Sequence, residues 1–309
     1  MKIITITLNP AFDVHCFAKN FQPFHENLAK ITASEAGGKG VNISRALTVC
    51  GTDNLAFVVL GEENGASFFH AMRADGMTCR TISVSGRIRE NITIHTDNAD
   101  ETRISFAGFD APSDLLARVE EALTDEIDGE TVVTLTGRNP SGIDIEETKA
   151  MLRRFTERGA KIVIDSRSFS LSDLIEMKPW LIKPNQEEIS AYLGREIESL
   201  EAVIEAAKEL HRGGMEYVMI SLGSKGALLV SDEGVFSAQP PKIEALSTIG
   251  AGDSSIAGFL AAASEGLGAM DRLCRAVAYG TAACLTEGTK PPRVEDVSRV
   301  MGEIKIQAL

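Results

Sequence analysis

Short runs rich in β-branched residues alternate along this chain with longer amphipathic segments, and that rhythm restricts the fold more than any other feature. Strands are expected at Ile3–Leu8, Leu55–Leu60, Thr131–Thr136, Lys161–Asp165, Trp180–Ile182, Tyr217–Ser221 and Ala227–Val230. Helices are expected at Val41–Val49, Ser67–Ala74, Leu115–Glu126, Glu146–Glu157, Leu200–Leu210, Ser254–Ala263 and Leu273–Leu285. Continuous apolar strands alternating with helices build βαβ units, and the resulting sheet is mainly parallel and covered on both faces. A chain of 309 residues is long enough to bury a large core of this kind. No repeat, low-complexity segment or linker divides it.

Two stretches break the rhythm. From Phe12 to Thr32 the segments are short and mixed, with no helical pattern. From Arg87 to Phe106 the pattern is a hairpin: Glu90–Thr96, a polar turn at Asp97-Asn98-Ala99-Asp100, then Thr102–Phe106. Asn and Asp favour such turns by bonding their own backbone. Both stretches are expected to form a small separate β-sheet that projects from the main body. It would serve as a lid over a cleft or be a decorative edge.

The 44 acidic and 31 basic residues leave a net charge of −13. That excludes nucleic acid or an anionic membrane as the main partner, because both require a basic surface. Small anionic ligands remain open, since a few focused cations suffice for them. The five cysteines are scattered without CxxC spacing, so neither a disulfide framework nor a zinc site is expected, and a reducing cytoplasm fits. The N-terminal residues alternate like a strand and break at Asn9-Pro10, and no run approaches a membrane span. The five histidines show no ligand spacing and are read as surface or core residues.

Near the C-terminal end, Ser247-Thr248-Ile249-Gly250-Ala251-Gly252-Asp253-Ser254 leads into an apolar run with helical spacing. The glycines let the backbone turn tightly and approach a ligand. A helix starting near Asp253 would aim free N–H groups and its positive dipole end into that turn, where a phosphate or developing anion binds. Asp253 would sit there as a base, which suits phosphoryl transfer. Alternatively, Asp253 is an acidic N-cap and Gly-Ala-Gly an ordinary loop.

A second glycine cluster, Gly37-Gly38-Lys39-Gly40-Val41-Asn42, also opens a helix, and Lys39 and Asn42 offer donors. The P-loop spacing is not met. In Lys183-Pro184-Asn185-Gln186-Glu187-Glu188, Asn185 and Glu188 have capping-box spacing, or else face a cleft and hold water on Mg²⁺. Arg87 and Arg89 enter the hairpin and Arg103 lies on its return strand, either as solvated surface groups or as a bidentate grip on phosphate. Asp13 follows the first strand, as a turn carboxylate or as an acceptor for a sugar hydroxyl.

Taken in order, these residues resemble a known family. Gly37-Gly38-Lys39-Gly40-x-Asn42 and Thr248-x-Gly250-Ala251-Gly252-Asp253-Ser254 are similar to the two signature segments of the PfkB (ribokinase-like) carbohydrate kinases. Leu8-Asn9-Pro10-Ala11-Phe12-Asp13, Lys183-Pro184-Asn185, Ser221-Leu222-Gly223 and Ser247-Thr248-Ile249-Gly250 resemble the branch containing 1-phosphofructokinase and tagatose-6-phosphate kinase. The similarity runs from about residue 1 to about residue 305.

The resemblance implies a single ribokinase-like domain over 1–309, a three-layer α/β/α sandwich with a β-sheet lid from about 12–33 and 87–108. It implies ATP and Mg²⁺, with a ketohexose phosphate as acceptor, fructose 1-phosphate first. Asp253 would be the base, and the Gly250-Ala251-Gly252 amides the anion hole. Asp13, Gly38, Lys39 and Asn42 would hold the sugar, and Arg89 and Arg103 its phosphate. Lys183, Asn185, Ser221, Gly223, Gly226 and Thr248 would lie along the nucleotide, with Asn185 and Glu188 holding Mg²⁺ through water. The lid often forms a dimer contact in this family, so a homodimer through it is expected.

One segment departs from the pattern. Where the branch usually reads Ser-Gly-Ser-Leu-Pro, this chain has Thr136-Gly137-Arg138-Asn139-Pro140. Arg138 replaces a serine on the substrate side and would either grip a phosphate more strongly or block the usual sugar phosphate. The alternatives to the first reading are a tagatose-6-phosphate kinase, a kinase for an unphosphorylated sugar or nucleoside, and a non-catalytic ligand sensor. A dinucleotide-binding oxidoreductase is a further rival, but no G-x-G-x-x-G follows the first strand.

Overall fold

The computed structural model describes residues 1–97 and 101–309, so Asn98, Ala99 and Asp100 of the expected hairpin turn lie outside the described residues. In chain order the strands are β1 (Lys2–Thr7), β2 (Ala11–Ala18), β3 (Lys30–Gly37), β4 (Leu55–Gly61), β5 (Cys79–Val84), β6 (Arg89–Thr96), β7 (Glu101–Ser105), β8 (Thr131–Thr136), β9 (Lys161–Asp165), β10 (Leu181–Ile182), β11 (Tyr217–Ser221), β12 (Ala227–Ser231), β13 (Gly234–Gln239) and β14 (Lys305–Ala308). The helices are α1 (Lys39–Val49), α2 (Gly65–Ala74), α3 (Leu115–Leu123), α4 (Ile145–Glu157), α5 (Leu171–Met177), α6 (Gln186–Leu193), α7 (Leu200–Arg212), α8 (Ala251–Ser264), α9 (Ala269–Ala283) and α10 (Val294–Glu303).

Ten strands form the main sheet in the order β14-β13-β12-β11-β10-β9-β8-β1-β4-β5. Pairing is parallel from β5 through β11 and antiparallel from β11 through β14. All six residues of β8 are buried, as a strand covered on both faces requires. In β1, Ile4 and Ile6 enter one apolar cluster, which also holds Leu116, Leu152 and Leu210. Ile3 points the other way, into a cluster with Leu47, Phe259 and Val277. The sheet therefore lies between α3–α7 on one side and α1, α8, α9 and α10 on the other, the three-layer arrangement expected. The apolar pattern does not mark β5, β13, β14, α5 or α10, and α6 is signalled only by the capping-box spacing of Asn185 and Glu188. β14 is a four-residue antiparallel strand at the edge of the sheet, where the apolar run signal is weak.

A second sheet has the order β3-β2-β6-β7. Its central pair β2–β6 is parallel and the outer pairs are antiparallel. The stretch from Phe12 to Thr32 that showed no helical pattern supplies β2 and the start of β3. The β2–β6 register sets Ala11 beside Arg89 and Asp13 beside Asn91. A third apolar cluster, including Ala36, Val41, Phe68 and Ile88, roots this sheet on α1 and α2.

Candidate active site

The carboxyl ends of parallel strands are where ligands bind in such sheets. The two glycine-led helices start at this edge. α8 begins at Ala251, capped by Gly250 in the left-handed region at φ 79°, where a side chain would be strained. The helix thus starts two residues before the expected position. Asp253 is the third residue of its first turn and makes no capping bond, which corrects the N-cap alternative.

Asp253 is 7% exposed. Its Oδ2 accepts a hydrogen bond from Asn42 Nδ2 at 2.9 Å. Burial pushes this carboxyl up to about 6, and the Asn42 bond and the nearby Lys39 charge keep it from rising further. A carboxylate that titrates there suits general base work near neutral pH. The first N–H groups of α8 have no intrahelical acceptor.

Lys39 opens α1 behind Gly38, whose φ is 115°. Lys39 Nζ pairs with Asp165 Oδ2 at 2.9 Å, and Lys183 Nζ lies 4.0 Å from Asp165 Oδ1. Burial alone would lower Lys39, but the charge and hydrogen bond of Asp165 outweigh it and hold the ammonium above the ordinary range. Burial would raise Asp165, yet the two lysines hold it below the usual carboxylate range. Lys183 also reaches the mouth of α8: a Cβ built on Gly252 would stand 3.0 Å from its Nζ.

These groups border a cavity of about 420 Å³. Lys39, Lys183, Asp165, Arg138 and Gly252 line it, together with Arg167, Asn185, Glu188 and Ser221. Asn185 and Glu188 do form the capping box of α6: Asn185 Oδ1 accepts from the Glu188 N–H at 2.8 Å, and Glu188 Oε2 from the Asn185 N–H at 3.0 Å. Arg167 Nε donates to Glu188 Oε1 at 3.0 Å. Capping and lining the cavity are therefore compatible. Among the described residues, no three His, Cys, Asp or Glu side chains converge as a metal cluster.

Beyond Ser221, the loop residues differ in kind. Gly223 faces open space. Gly226 (φ 95°) sits on the Ala238 carbonyl so closely that any Cβ would collide with it, so its need for glycine is structural. Thr248 is exposed, and its carbonyl accepts the Ala251 N–H at 3.4 Å.

On the second sheet, Asp13 Oδ1 accepts from Asn91 Nδ2 at 2.9 Å, and its other oxygen packs on Gly37. Burial pushes Asp13 up, against the Asn91 bond and the Arg89 charge. Arg89 Nη1 donates to Asn91 Oδ1 at 3.2 Å, while its buried Nε has no partner among the described residues. Burial pulls Arg89 down, and the like charge of Arg138 adds to that effect. Arg103 stands elsewhere: exposed on the edge strand β7, it pairs with Glu101 at 3.1 Å. The register does put it on the same face of the sheet as Asp13 and Asn91, through the row His15–Thr93–Arg103. Two histidines read as ordinary form a stacked pair on this sheet, with His15 Nδ1 3.1 Å from His95 Nε2.

Asp165, Arg167 and Asn91 were not singled out from sequence. Asp165 had a usable signal, since it ends an apolar parallel strand. Arg167 and Asn91 had none beyond residue type.

Cations surround an open, helix-ended turn whose first residues include the buried Asp253 carboxylate, while the buried Asp165 is taken up by Lys39 and Lys183. That arrangement can neutralise a phosphoryl group and take a proton from an attacking hydroxyl. Among the described residues no helix is long and apolar enough to cross a membrane.

The profile of pfkB family carbohydrate kinases matches residues 11–296. Over 280 residues the chain is 32% identical to the 1-phosphofructokinase of Haemophilus influenzae, covering 89% of this chain and 88% of that protein. It is 34% identical over 262 residues to the Escherichia coli 1-phosphofructokinase, covering 84% and 83%. Among solved structures, phosphofructokinase-2 from Escherichia coli in complex with substrates and products superposes with a TM-score of 0.92 at 26% identity, covering 98% of this chain and 99% of that one. The profile spans both glycine-led helices and Asp253, the relatives and the superposition cover most of the chain, and on that evidence the chain belongs to the pfkB family of carbohydrate kinases.

Proposed function

We propose that this kinase transfers the terminal phosphoryl group of ATP to a hydroxyl of a ketohexose phosphate, with fructose 1-phosphate as the preferred acceptor and fructose 1,6-bisphosphate as product. The observation that carries the reading is Asp253, buried and held by Asn42 at the open N-terminus of α8 beside Lys183. The acceptor oxygen forms a bond to the γ-phosphorus as the bridging bond to ADP breaks. The electron pair leaves with ADP and the hydroxyl proton passes to the Asp253 carboxylate. Gly250, Ala251 and Gly252 amides and Lys183 stabilise charge on the moving group. Asp13, Gly38 and Lys39 hold the sugar, and Asn42 serves both sugar and base.

The names of the curated relatives support a fructose phosphate as acceptor. So does the basic corner made by Arg89 and Arg138, where arginines grip phosphate in two-pronged fashion. Arg138 replaces the small residue of the branch and favours a second reading, tagatose-6-phosphate kinase, over the first only if it shifts where that phosphate sits. Arg103 would join the grip from the lid. ATP would lie along Ser221, Gly223, Gly226 and Thr248.

The donor set fits a hydrated Mg²⁺: Asn185 and Glu188 offer oxygens at the cavity wall, and their capping bonds leave room for contact through water. The ion would supply charge neutralisation on the phosphates. The domain is read as one kinase unit over 1–309, with the second sheet as the lid that keeps water from the phosphoryl group. The other face of that sheet exposes Ile31 (63%) and Ile104 (43%), which supports a homodimer through it.

ADP release across fructose 1-phosphate, fructose 6-phosphate, tagatose 6-phosphate and free sugars tests the proposal. The highest kcat/KM is expected with fructose 1-phosphate. A clear preference for tagatose 6-phosphate would install the second reading, and a preference for free sugars would overturn both.

A further inference from the structure

Arg45 is 4% exposed, and a guanidinium so deeply buried must have every donor direction accounted for. Its Nε donates to Asp75 Oδ2 at 2.7 Å. Its Nη1 donates to Asn42 Oδ1 at 3.3 Å, and its Nη2 to the Ala36 carbonyl. The three acceptors belong to different places: the end of α2, the first turn of α1 and the end of β3. Neither Asp75 nor Ala36 has a part in the proposed reaction, whereas Asn42 serves the sugar and touches the proposed base.

A side-chain amide has two chemically opposite ends, and neighbours decide which way it points. Arginine is a donor only, so the oxygen of Asn42 must face Arg45. The nitrogen is then left to face Asp253, as the 2.9 Å contact records. Without Arg45 the amide is free to turn over and present its oxygen to a carboxylate. That orientation is repulsive unless Asp253 carries a proton, and a protonated Asp253 cannot accept one from the acceptor hydroxyl.

We infer that Arg45, anchored by Asp75, is a positioning residue that locks the Asn42 amide with its nitrogen toward Asp253 and so aims the base. The inference rests on the kinase reading above and deepens it. The other charged groups that face Asp253 are Lys39 from α1, Lys183 after β10 and Asp165 at the end of β9. None of them is hydrogen-bonded or ion-paired to Arg45, so Asn42 is the bonded link between Arg45 and the base.

The test measures ADP release with the preferred sugar phosphate from about pH 5 to about pH 9, in the parent, Arg45→Gln, Asn42→Ala, the double variant and Asp75→Asn. Arg45→Gln is expected to lower kcat roughly 10-fold, the effect of losing one hydrogen bond that orients a charged group. The KM for ATP should stay unchanged and the acid limb of kcat/KM should move to higher pH. The double variant should lose no more than Asn42→Ala alone, because both act on one contact. Asp75→Asn should move the acid limb the same way, by less. Asp75 is 42% exposed at the end of α2, and asparagine still offers Arg45 an oxygen, so this variant is expected to fold and decides the matter if Arg45→Gln does not. Multiplying losses in the double variant, or an acid limb that stays at the parent position in Asp75→Asn, would overturn the inference. A parent inactive on every sugar phosphate would instead sink the functional reading on which it rests.

Discussion

The two glycine-led helices begin at the same edge of the main sheet, but their glycines serve opposite ends. At α1 they permit contact. Gly37 lies against the Asp13 carboxylate, and Gly40 lies against the Thr7 hydroxyl and the Ile6 carbonyl. At α8 they preserve space. The nearest neighbour to a Cβ on Gly250 would be Thr289 Cα at 3.8 Å, and a Cβ on Gly252 would meet only the Lys183 side chain. A missing side chain can thus mean a backbone drawn tight against its neighbour or an opening fringed by a cation. Only the second kind has room for a reacting group.

The sharpest way to break this comparison is to remove the base at the open helix. Asp253→Asn should lower kcat roughly 10²–10⁴-fold while nucleotide binding and folding persist. Near-normal ADP release would show that the opening at α8 does no proton transfer. Arg89→Ala comes next. It should raise the KM for the sugar phosphate roughly 10–100-fold, with the KM for ATP within about 2-fold, since a charged hydrogen bond is lost on one side only. Equal rises in both would remove Arg89 from the phosphate grip.

The helices themselves can then be set against each other. Gly252→Ala pushes a flexible ammonium aside without touching backbone, so kcat should fall roughly 10-fold while stability changes by less than about 0.5 kcal/mol. Gly40→Ala forces a methyl onto the Thr7 hydroxyl and the Ile6 backbone, so it should lose about 1–3 kcal/mol of stability and change kcat less than Gly252→Ala does. Thermal melts beside kinetics separate the two, and the reverse pattern would dissolve the distinction.

The last effect is on stability against pH. Asp253 is pushed above its ordinary 3.8 to about 6, so between those values the folded protein binds more protons than the unfolded chain. Stability should therefore decline as pH rises through that window, by on the order of 3 kcal/mol. Asn cannot titrate. The Tm of Asp253→Asn should gain on the parent from about pH 4 to about pH 6 and keep that lead above it. A constant gap would mean that Asp253 does not titrate where its burial requires.

Much of the body was legible from sequence because its signals are local. The fully buried β8 reads as an unbroken apolar run, and the capping box of Asn185 and Glu188 needs only a spacing of three. The second sheet was harder. Its β2–β6 pair is parallel, and β2 and β3 are joined by an irregular stretch, so their pattern resembles mixed loop. Asp165 went unmarked because its place at the end of an apolar strand signals only the ligand edge of the sheet, and nothing within Lys161–Asp165 shows that two lysines converge on it.

The order of residues alone determined that a mainly parallel sheet would be covered on both faces, and that two glycine turns would open helices at its edge. Periodicity and turn chemistry act over a few residues, so they survive reading in one dimension. Only the tertiary structure decided that Asn42 would hold Asp253 across 211 positions of chain, that Asn91 would hold Asp13 across 78, and that Lys39 and Lys183 would flank Asp165. Those pairings arise where strand ends from distant parts of the chain converge, and burial there makes each polar group depend on its neighbours.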